Sequence, residues 1–302
     1  MTEYMPGTNK NIMGKNIALV LSSGGARGFA HIGAIKVLEQ EGYKITSVAG
    51  TSMGALVGGI YAAGQLREFE QWVSSLDVME VLKLTDVTIS GTGFVKGKKI
   101  IDRMKEIVPA RRIEELSIPY SAVATDLTRG TERVFTEGSL FDAIRASISI
   151  PTVFQPFLTG GDYYVDGGLV NPIPINRVKR HEGDLLAVVD VNADIPHEIP
   201  ESAVETVEEE DNKYLRKIKS IYSRHDKHIP KNKKDDIGLF NLNTRSISIM
   251  LNQIGALTLK NHKVDIMVRL SRDSFGIYDF YKAAKIISAG ETATRRALGL
   301  SE

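Results

Sequence analysis

Two strand–turn–helix units lie within the first 65 residues and constrain the fold more than any other feature of the chain. In the first unit, an apolar run at residues 17–21 ends in a glycine-rich turn, and a helical pattern follows. In the second, an apolar run at residues 45–49 leads through Gly50, Ser52 and Gly54 into another helical pattern. Short, continuously apolar runs are typical of parallel strands that are covered on both faces. The two units therefore predict an α/β fold with a parallel sheet.

The rest of the chain extends this pattern. Apolar runs at residues 120–125, 185–191 and 264–270 predict further buried strands. Residues 140–147 are predicted to form a helix that ends before a proline, and residues 278–298 have helical spacing with few breakers. We expect no internal repeat.

The chain of 302 residues is long enough for one large domain with a substantial core. We expect residues 1–16 to be a flexible lead-in and residues 17–302 to form a single domain. Within it, residues 201–236 read as a charged insertion, in which an acidic run gives way to a basic one. Its apolar residues at helical spacing are Tyr214, Ile218, Ile221 and Tyr222. Two interpretations stay open: a solvated insertion that docks this stripe on the core, and a lid or membrane-contacting element.

Composition excludes several classes of function. The net charge of +1 gives no electrostatic case for a nucleic-acid partner. The absence of cysteine excludes disulfides, thiolate metal sites and a cysteine nucleophile. We find no secretory signal pattern and no apolar stretch of about 18 residues, so the expectation is a cytoplasmic protein without a membrane-spanning helix.

The glycines on either side of Ser52 match the nucleophile-elbow pattern of serine hydrolases. The turn from strand to helix is so tight that larger side chains at Gly50 and Gly54 would clash. The serine hydroxyl projects from the carboxyl end of the sheet, and the following helix points its N-terminus at the reaction centre. The alternative is a small-residue turn whose serine only caps the helix.

The glycine-rich turn at residues 23–28 fits one kind of site better than two others. It lacks the Lys-Ser or Lys-Thr pair of a phosphate-binding loop, and it lacks the glycine spacing of a dinucleotide fingerprint. A glycine-rich loop at a helix N-terminus can aim backbone N–H groups at the oxyanion of a serine acyl transfer. An oxyanion hole is therefore the remaining interpretation.

Asp166 is followed by two glycines. Such a sequence in a β context is by default a hairpin turn. Together with the elbow, Asp166 also becomes a candidate base for Ser52.

In combination these segments resemble the patatin-like phospholipases, particularly their bacterial branch. The similarity spans about residues 17–193, and its motifs occur in the order of the family. The matching stretches are residues 19–33 (LVLSSGGARGFAHIG), 50–54 (GTSMG), 147–156 (SISIPTVFQP) and 166–168 (DGG).

The resemblance implies a three-layer αβα fold with a mainly parallel central sheet and a Ser-Asp dyad. Ser52 would be the nucleophile, and Asp166 would accept its proton and later activate water. The oxyanion loop would consist of Gly24, Gly25, Ala26 and Arg27. The implied activity is cleavage of acyl esters of lipids, of the phospholipase A or carboxylesterase type, with no cofactor and no metal. Partners would be a lipid or acyl-ester substrate and, peripherally, a membrane, while natural substrate and oligomeric state stay open.

Two features test this expectation. Ser23 stands where the family usually has glycine, and a positive φ there would cost about 1 kcal/mol or more. An aspartate with an ordinary pKa near 3.9 is also a poor base for a hydroxyl, so burial would have to raise that pKa.

A conventional serine triad would need one of six histidines. His31 follows the glycine loop and is expected to have a structural role, while His225 and His228 lie in the charged insertion. His262 is late in the chain, where an α/β-hydrolase places its base, but the early elbow fits that fold poorly. Two alternatives remain: an acyltransferase that uses the same serine, and a catalytically weak lipid-binding scaffold, which only Ser23 supports.

Overall fold

The computed structural model describes residues 15–90, 93–151, 153–196 and 239–301. The lead-in up to residue 14 and the predicted insertion at 201–236, with its amphipathic stripe, lie outside the described residues. The strands are β1 (Lys15–Leu21), β2 (Tyr43–Thr51), β3 (Val87–Ser90), β4 (Gly93–Val95), β5 (Tyr120–Asp126), β6 (Thr131–Phe135), β7 (Phe157–Thr159), β8 (Asp162–Asp166), β9 (Leu185–Ala193) and β10 (Ile266–Ser271). The α-helices are α1 (Ala30–Gln40), α2 (Met53–Ala62), α3 (Leu66–Ser75), α4 (Val78–Leu84), α5 (Lys98–Ile107), α6 (Leu140–Ser147), α7 (Leu239–Lys260) and α8 (Ala283–Ala297).

Eight of these strands form the central sheet, in which β10, β9, β1, β2 and β5 are neighbours in that order and run parallel. Alternate side chains of β1 lie on opposite faces of the sheet. Leu19 and Leu21 pack in the main core with α1, α2 and α8, whereas Val20 packs in a second core with Ile173 and Leu259 of α7. Because elements cover both faces, the predicted three-layer α/β architecture with a mainly parallel sheet is confirmed.

Most predicted elements lie where the sequence places them. Helix α6 has the predicted bounds, and the predicted strand at 264–270 is shifted to Ile266–Ser271. The predicted C-terminal helix begins with a short 3-10 turn and then continues as α8. The hairpin interpretation of Asp166 is wrong, because β8 ends at this residue and a 3-10 helix follows. The hairpin lies at the other end of β8, where Gly160 and Gly161 have φ of 61° and 88°.

Two strand ends meet beside β5. Along one edge of β5, β2 runs parallel and stops with Thr51 opposite Val123. On the same edge, β8 runs antiparallel and stops with Asp166 opposite Ala124, since β6 occupies the other edge of this stretch. The end of β2 and the end of β8 therefore face each other at adjacent positions of one strand.

No helix in the described part of the chain is both long enough and apolar enough to cross a bilayer.

Candidate active site

Ser52 occupies a tight turn between β2 and α2. Its φ of 56° is the only positive φ of a non-glycine residue in the described ranges, and such a backbone costs about 1–3 kcal/mol. The Ser52 N–H donates to Ser147 Oγ at 2.8 Å, and that hydroxyl donates to the Val123 carbonyl at 2.5 Å. These bonds hold the strained turn against the β5 backbone, as a nucleophile elbow requires.

The two elbow glycines leave room for close backbone packing. A Cβ on Gly50 would lie 2.3 Å from the Gly54 carbonyl, and a Cβ on Gly54 would lie 2.3 Å from the Leu21 carbonyl oxygen. Any side chain at either position would therefore separate α2 from the strands beneath it. Gly28 likewise allows the glycine loop to pack closely on α2, because a Cβ there would lie 2.4 Å from the Met53 side chain.

Ser52 and Asp166 are in direct contact at the junction of β2 and β8. Ser52 Oγ donates to Asp166 Oδ2 at 2.5 Å. The other carboxylate oxygen, Oδ1, accepts from the Gly168 N–H at 2.7 Å. The Thr125 hydroxyl donates to the Asp166 carbonyl, and the Asp166 N–H donates to the Ser149 carbonyl. Hydrogen bonds to both the side chain and the backbone of Asp166 therefore hold its carboxylate against Ser52.

Burial sets the electrostatics of this pair. Ser52 is 3% exposed and Asp166 is 5% exposed. Loss of hydration raises the pKa of Asp166 from 3.8 to about 6, against the opposing effect of the hydrogen bonds from Ser52 and Gly168. Asp166 is therefore a stronger base than an ordinary aspartate, and it is still ionised at neutral pH.

The glycine loop lies beside Ser52 because β1 and β2 are paired with Leu21 opposite Gly50. Gly24, Gly25 and Arg27 line a cavity that Ser52 also lines. The Ala26 N–H differs, because it donates to the Ile277 carbonyl at 3.0 Å. Ser23 has no positive φ, so the strain expected from replacing glycine at this position does not arise.

The guanidinium of Arg27 anchors the glycine loop. Its guanidinium donates to the carbonyls of Arg272 and Phe275 at 2.9 Å and to Asn192 Oδ1 at 2.6 Å. Asn192 in turn donates to the Ser23 carbonyl. Burial lowers the pKa of Arg27 to about 10, so the group stays charged at neutral pH. Arg27 therefore connects the glycine loop to the end of β9 and to the segment after β10.

Replacement of Arg27 by lysine is expected to lower stability by about 2 kcal/mol, because an ammonium cannot reproduce the planar fork that reaches three acceptors. We also expect roughly tenfold lower kcat/KM for ester hydrolysis, since the loop shifts. Urea unfolding and initial rates measure both. The matched control is Arg67→Lys, at an exposed arginine, which should change little. Unchanged stability and rate in Arg27→Lys would contradict the anchoring role.

Two cavities share Ser52 in their walls. One has a volume of about 170 Å³ and the other about 260 Å³. The first is almost entirely apolar, and its walls include Phe29, Leu56, Phe69, Trp72, Met104, Phe154 and Phe280. The second also contains Asp166 and is more polar, with Ser23, Asn192, Thr244, Ser248, Asn252, Arg272 and Asp273 in its walls. An apolar and a polar cavity that meet at one serine side chain could hold a ligand with one apolar and one polar part.

The histidines that the structure describes are not placed for catalysis. His31 is fully buried, and its Nε2 bonds the Ser22 carbonyl at 2.9 Å. Desolvation lowers its pKa to about 4, so it is neutral and supports the glycine loop. His262 is exposed and bonds the Thr258 carbonyl, and His181 pairs with Asp184. His197, His225 and His228 lie outside the described residues.

Three residues that support Ser52 and Asp166 were not predicted from the sequence. Ser147 fixes the Ser52 backbone, and the Ser149 carbonyl accepts from the Asp166 N–H. Arg145 is 6% exposed and donates to Ser149 and to the backbone carbonyls of Lys96 and Gln155. The only available signal was that Ser147 and Ser149 open the matching stretch at residues 147–156. Among the described side chains, no cluster of three or more potential metal ligands occurs.

Comparison with known proteins identifies the family. The family model described as patatin-like phospholipase matches residues 19–178, more than half of the chain. The chain belongs to the patatin-like phospholipase family. An uncharacterized NTE family protein of Mycobacterium tuberculosis is 32% identical over 93% of this chain and 91% of its own length. In this patatin-like chain, the matched segment contains both Ser52 and Asp166, and the family makes it a lipid acyl hydrolase in general terms.

Longer proteins share the same segment. Lysophospholipase NTE1 of Yarrowia lipolytica is 33% identical over 60% of this chain but only 13% of its own length. Patatin-like phospholipase domain-containing protein 7 of Rattus norvegicus is 32% identical over 60% of this chain and 14% of its own. The patatin-like chain thus corresponds to a small part of these relatives.

Proposed function

We propose that this chain hydrolyses carboxylic esters of lipids, of the phospholipase A or lysophospholipase type, through a Ser52–Asp166 dyad and a covalent acyl-enzyme. The observation that carries the proposal is the 2.5 Å hydrogen bond from Ser52 Oγ to Asp166 Oδ2 at the meeting point of the two cavities. A base in direct contact with a serine on a strained elbow is the arrangement that nucleophilic catalysis needs.

In the acylation step, Asp166 Oδ2 takes the Ser52 hydroxyl proton while Ser52 Oγ attacks the ester carbonyl. The resulting oxyanion lies against the N–H groups of Gly24 and Gly25, at the start of the 3-10 helix that follows β1. The Ala26 N–H contributes less, because it is committed to Ile277. When the tetrahedral intermediate collapses, Asp166 returns the proton to the leaving alcohol, and the acyl group remains on Ser52.

Deacylation repeats the step with water. Asp166 accepts a proton from a water molecule in the polar cavity, and the hydroxide attacks the acyl carbonyl. Collapse releases the fatty acid and returns the proton to Ser52 Oγ. The polar cavity has room for this water, since it contains Asp166 and has a volume of about 260 Å³.

Each cavity suits a different part of the substrate. The aromatic and aliphatic walls of the apolar cavity suit the acyl chain, whose burial is favourable at about 0.8 kcal/mol per methylene. The polar cavity suits the glycerol or head-group side of the ester. An acyltransferase using the same serine differs only in the acceptor that attacks the acyl-enzyme, so product analysis separates the two.

The test combines active-site labelling with a substrate panel. A fluorophosphonate should add one adduct to the wild-type chain and none to Ser52→Ala, as measured by intact mass. p-Nitrophenyl esters of increasing chain length, phosphatidylcholine and lysophosphatidylcholine should release free fatty acid. Absence of labelling in the folded wild type would overturn the proposal. Transfer of the acyl group to an added alcohol in preference to water would indicate the acyltransferase.

The pH dependence of kcat/KM is expected to show an acid limb with an apparent pKa of about 6. Below this pH, Asp166 is protonated and cannot accept the serine proton, so the rate falls about tenfold per pH unit. Initial rates on a neutral ester measure the limb. It should persist in His262→Ala, which excludes that histidine as its origin. A rate that is constant down to pH 4 in a folded protein would contradict Asp166 as the base.

A further inference from the structure

Helix α7 (Leu239–Lys260) forms part of the wall of the polar cavity. The residues that line the cavity lie about three to four positions apart on one face: Thr244, Ile247, Ser248, Leu251 and Asn252. This face packs close to Asp166, since a Cβ on Gly168, two residues after it, would lie 2.9 Å from Leu251 Cδ2. The inner side of α7 therefore faces the polar cavity and, at Leu259, the second core.

The opposite side of α7 faces outward and has four exposed apolar side chains, with Ser246 and Gln253 between them. Leu242 is 48% exposed, Ile249 63%, Met250 54% and Leu257 60%. Their spacings of 7, 8 and 15 positions from Leu242 place them on one face of a helix. A helix that is apolar on two sides of a globular protein usually contacts a second partner on the outer side.

The charges of α7 indicate what that partner is. Its 22 residues include no aspartate or glutamate. Its only charged side chains are Arg245, near the beginning, and Lys260, at the end, and both residues are exposed. An apolar face with cationic side chains near its ends complements a phospholipid surface, because long basic side chains reach phosphates while the apolar ones enter the acyl region.

We propose that the outer face of α7 docks on a phospholipid bilayer and places the polar cavity at the membrane surface. The helix lies in the interface and does not cross the bilayer, in keeping with its limited apolar length. A lipid that leaves the bilayer there is separated from Ser52 only by the cavity that α7 itself lines. This inference rests on the proposed lipid substrate, but its test uses binding alone.

The experiment measures binding of the full chain, carrying Ser52→Ala, to phosphatidylcholine vesicles with and without phosphatidylserine by co-sedimentation. We expect binding that phosphatidylserine strengthens roughly fivefold or more, since each basic side chain near an anionic surface contributes about that factor. Ile249→Glu and Leu257→Glu should each weaken binding at least roughly tenfold. Leu158→Glu, at a leucine of β7 that is 54% exposed, is the matched control and should bind as the parent does.

Hydrolysis of a soluble short-chain ester separates the two proposals. With Ser52 restored, Ile249→Glu should retain the wild-type kcat/KM on p-nitrophenyl butyrate, because the substitution lies outside the cavity. Soluble-ester hydrolysis without any vesicle binding would overturn docking and leave the proposed function standing. Vesicle binding without hydrolysis of any ester would overturn the proposed function and leave docking standing. A third outcome is that the wild type dimerises, Ile249→Glu is monomeric, and neither protein binds vesicles. This outcome would overturn docking and assign the outer face of α7 to a second copy of the chain.

Discussion

Replacement of Asp166 by asparagine is expected to lower kcat/KM for ester hydrolysis roughly 10⁴-fold or more. Asparagine keeps the shape of the side chain but cannot accept the serine proton. Asp166 is the acid in contact with Ser52, so this loss should approach that of Ser52→Ala. Initial rates and fluorophosphonate labelling rates measure it. Full activity of Asp166→Asn, with loss of activity in His262→Ala, would show that the dyad is wrong.

The same substitution should stabilise the protein at neutral pH. The folded-state pKa of Asp166 lies above its ordinary value, so the native state binds the proton more tightly than the unfolded chain. The contribution to stability is then largest below pH 4 and declines as pH rises to about 6. The rise of the Asp166 pKa from 3.8 to about 6 corresponds to roughly 3 kcal/mol. Urea unfolding at pH 8 should therefore show Asp166→Asn to be at least as stable as the wild type, whereas a large loss of stability would contradict a buried, destabilised carboxylate.

Replacement of Gly54 by alanine is expected to have the largest combined effect on stability and rate. The new Cβ would lie 2.3 Å from the Leu21 carbonyl oxygen and 2.6 Å from that of Ser22. Both contacts are with backbone, so α2 must move away from β1. We expect a loss of about 3 kcal/mol and roughly hundredfold slower acylation, because the elbow and the glycine loop separate.

Urea unfolding and the rate of fluorophosphonate labelling measure these two effects. The matched control is Gly255→Ala in α7, where the nearest atom is the end of the flexible Ile173 side chain at 3.3 Å. Alanine there gains helix propensity of up to about 1 kcal/mol, so little net change is expected. Equal behaviour of the two variants would show that the close approach at Gly54 does not position the site.

Much of the fold follows from local pattern. Buried parallel strands are continuously apolar, and this is why β1, β2, β5 and β9 are predictable within a few residues. The default hairpin interpretation at Asp166 fails for a physical reason. An acid followed by two glycines suits both a hairpin turn and a 3-10 turn, and only the pairing of β8 with β5 decides between them.

Side-chain direction is less accessible from sequence. Arg27 adjoins the glycines of the glycine loop, yet its guanidinium donates to carbonyls more than 240 positions away along the chain. Ser23 would strain the loop only if its φ were positive, and its backbone has no positive φ. Such outcomes depend on which distant acceptors the fold brings near, and no local pattern contains that information.

Ser52 could be located from sequence alone, because an elbow is a local device: strand, two glycines and helix all lie within a few positions of the serine. Asp166 was a candidate partner only in combination with the elbow and through the family resemblance, and the tertiary structure shows the contact itself, across 114 positions. That contact exists because β2 and β8 end at adjacent positions along one edge of β5. Strand register is set by long-range pairing and packing, so the meeting of the two side chains is a property of the folded sheet.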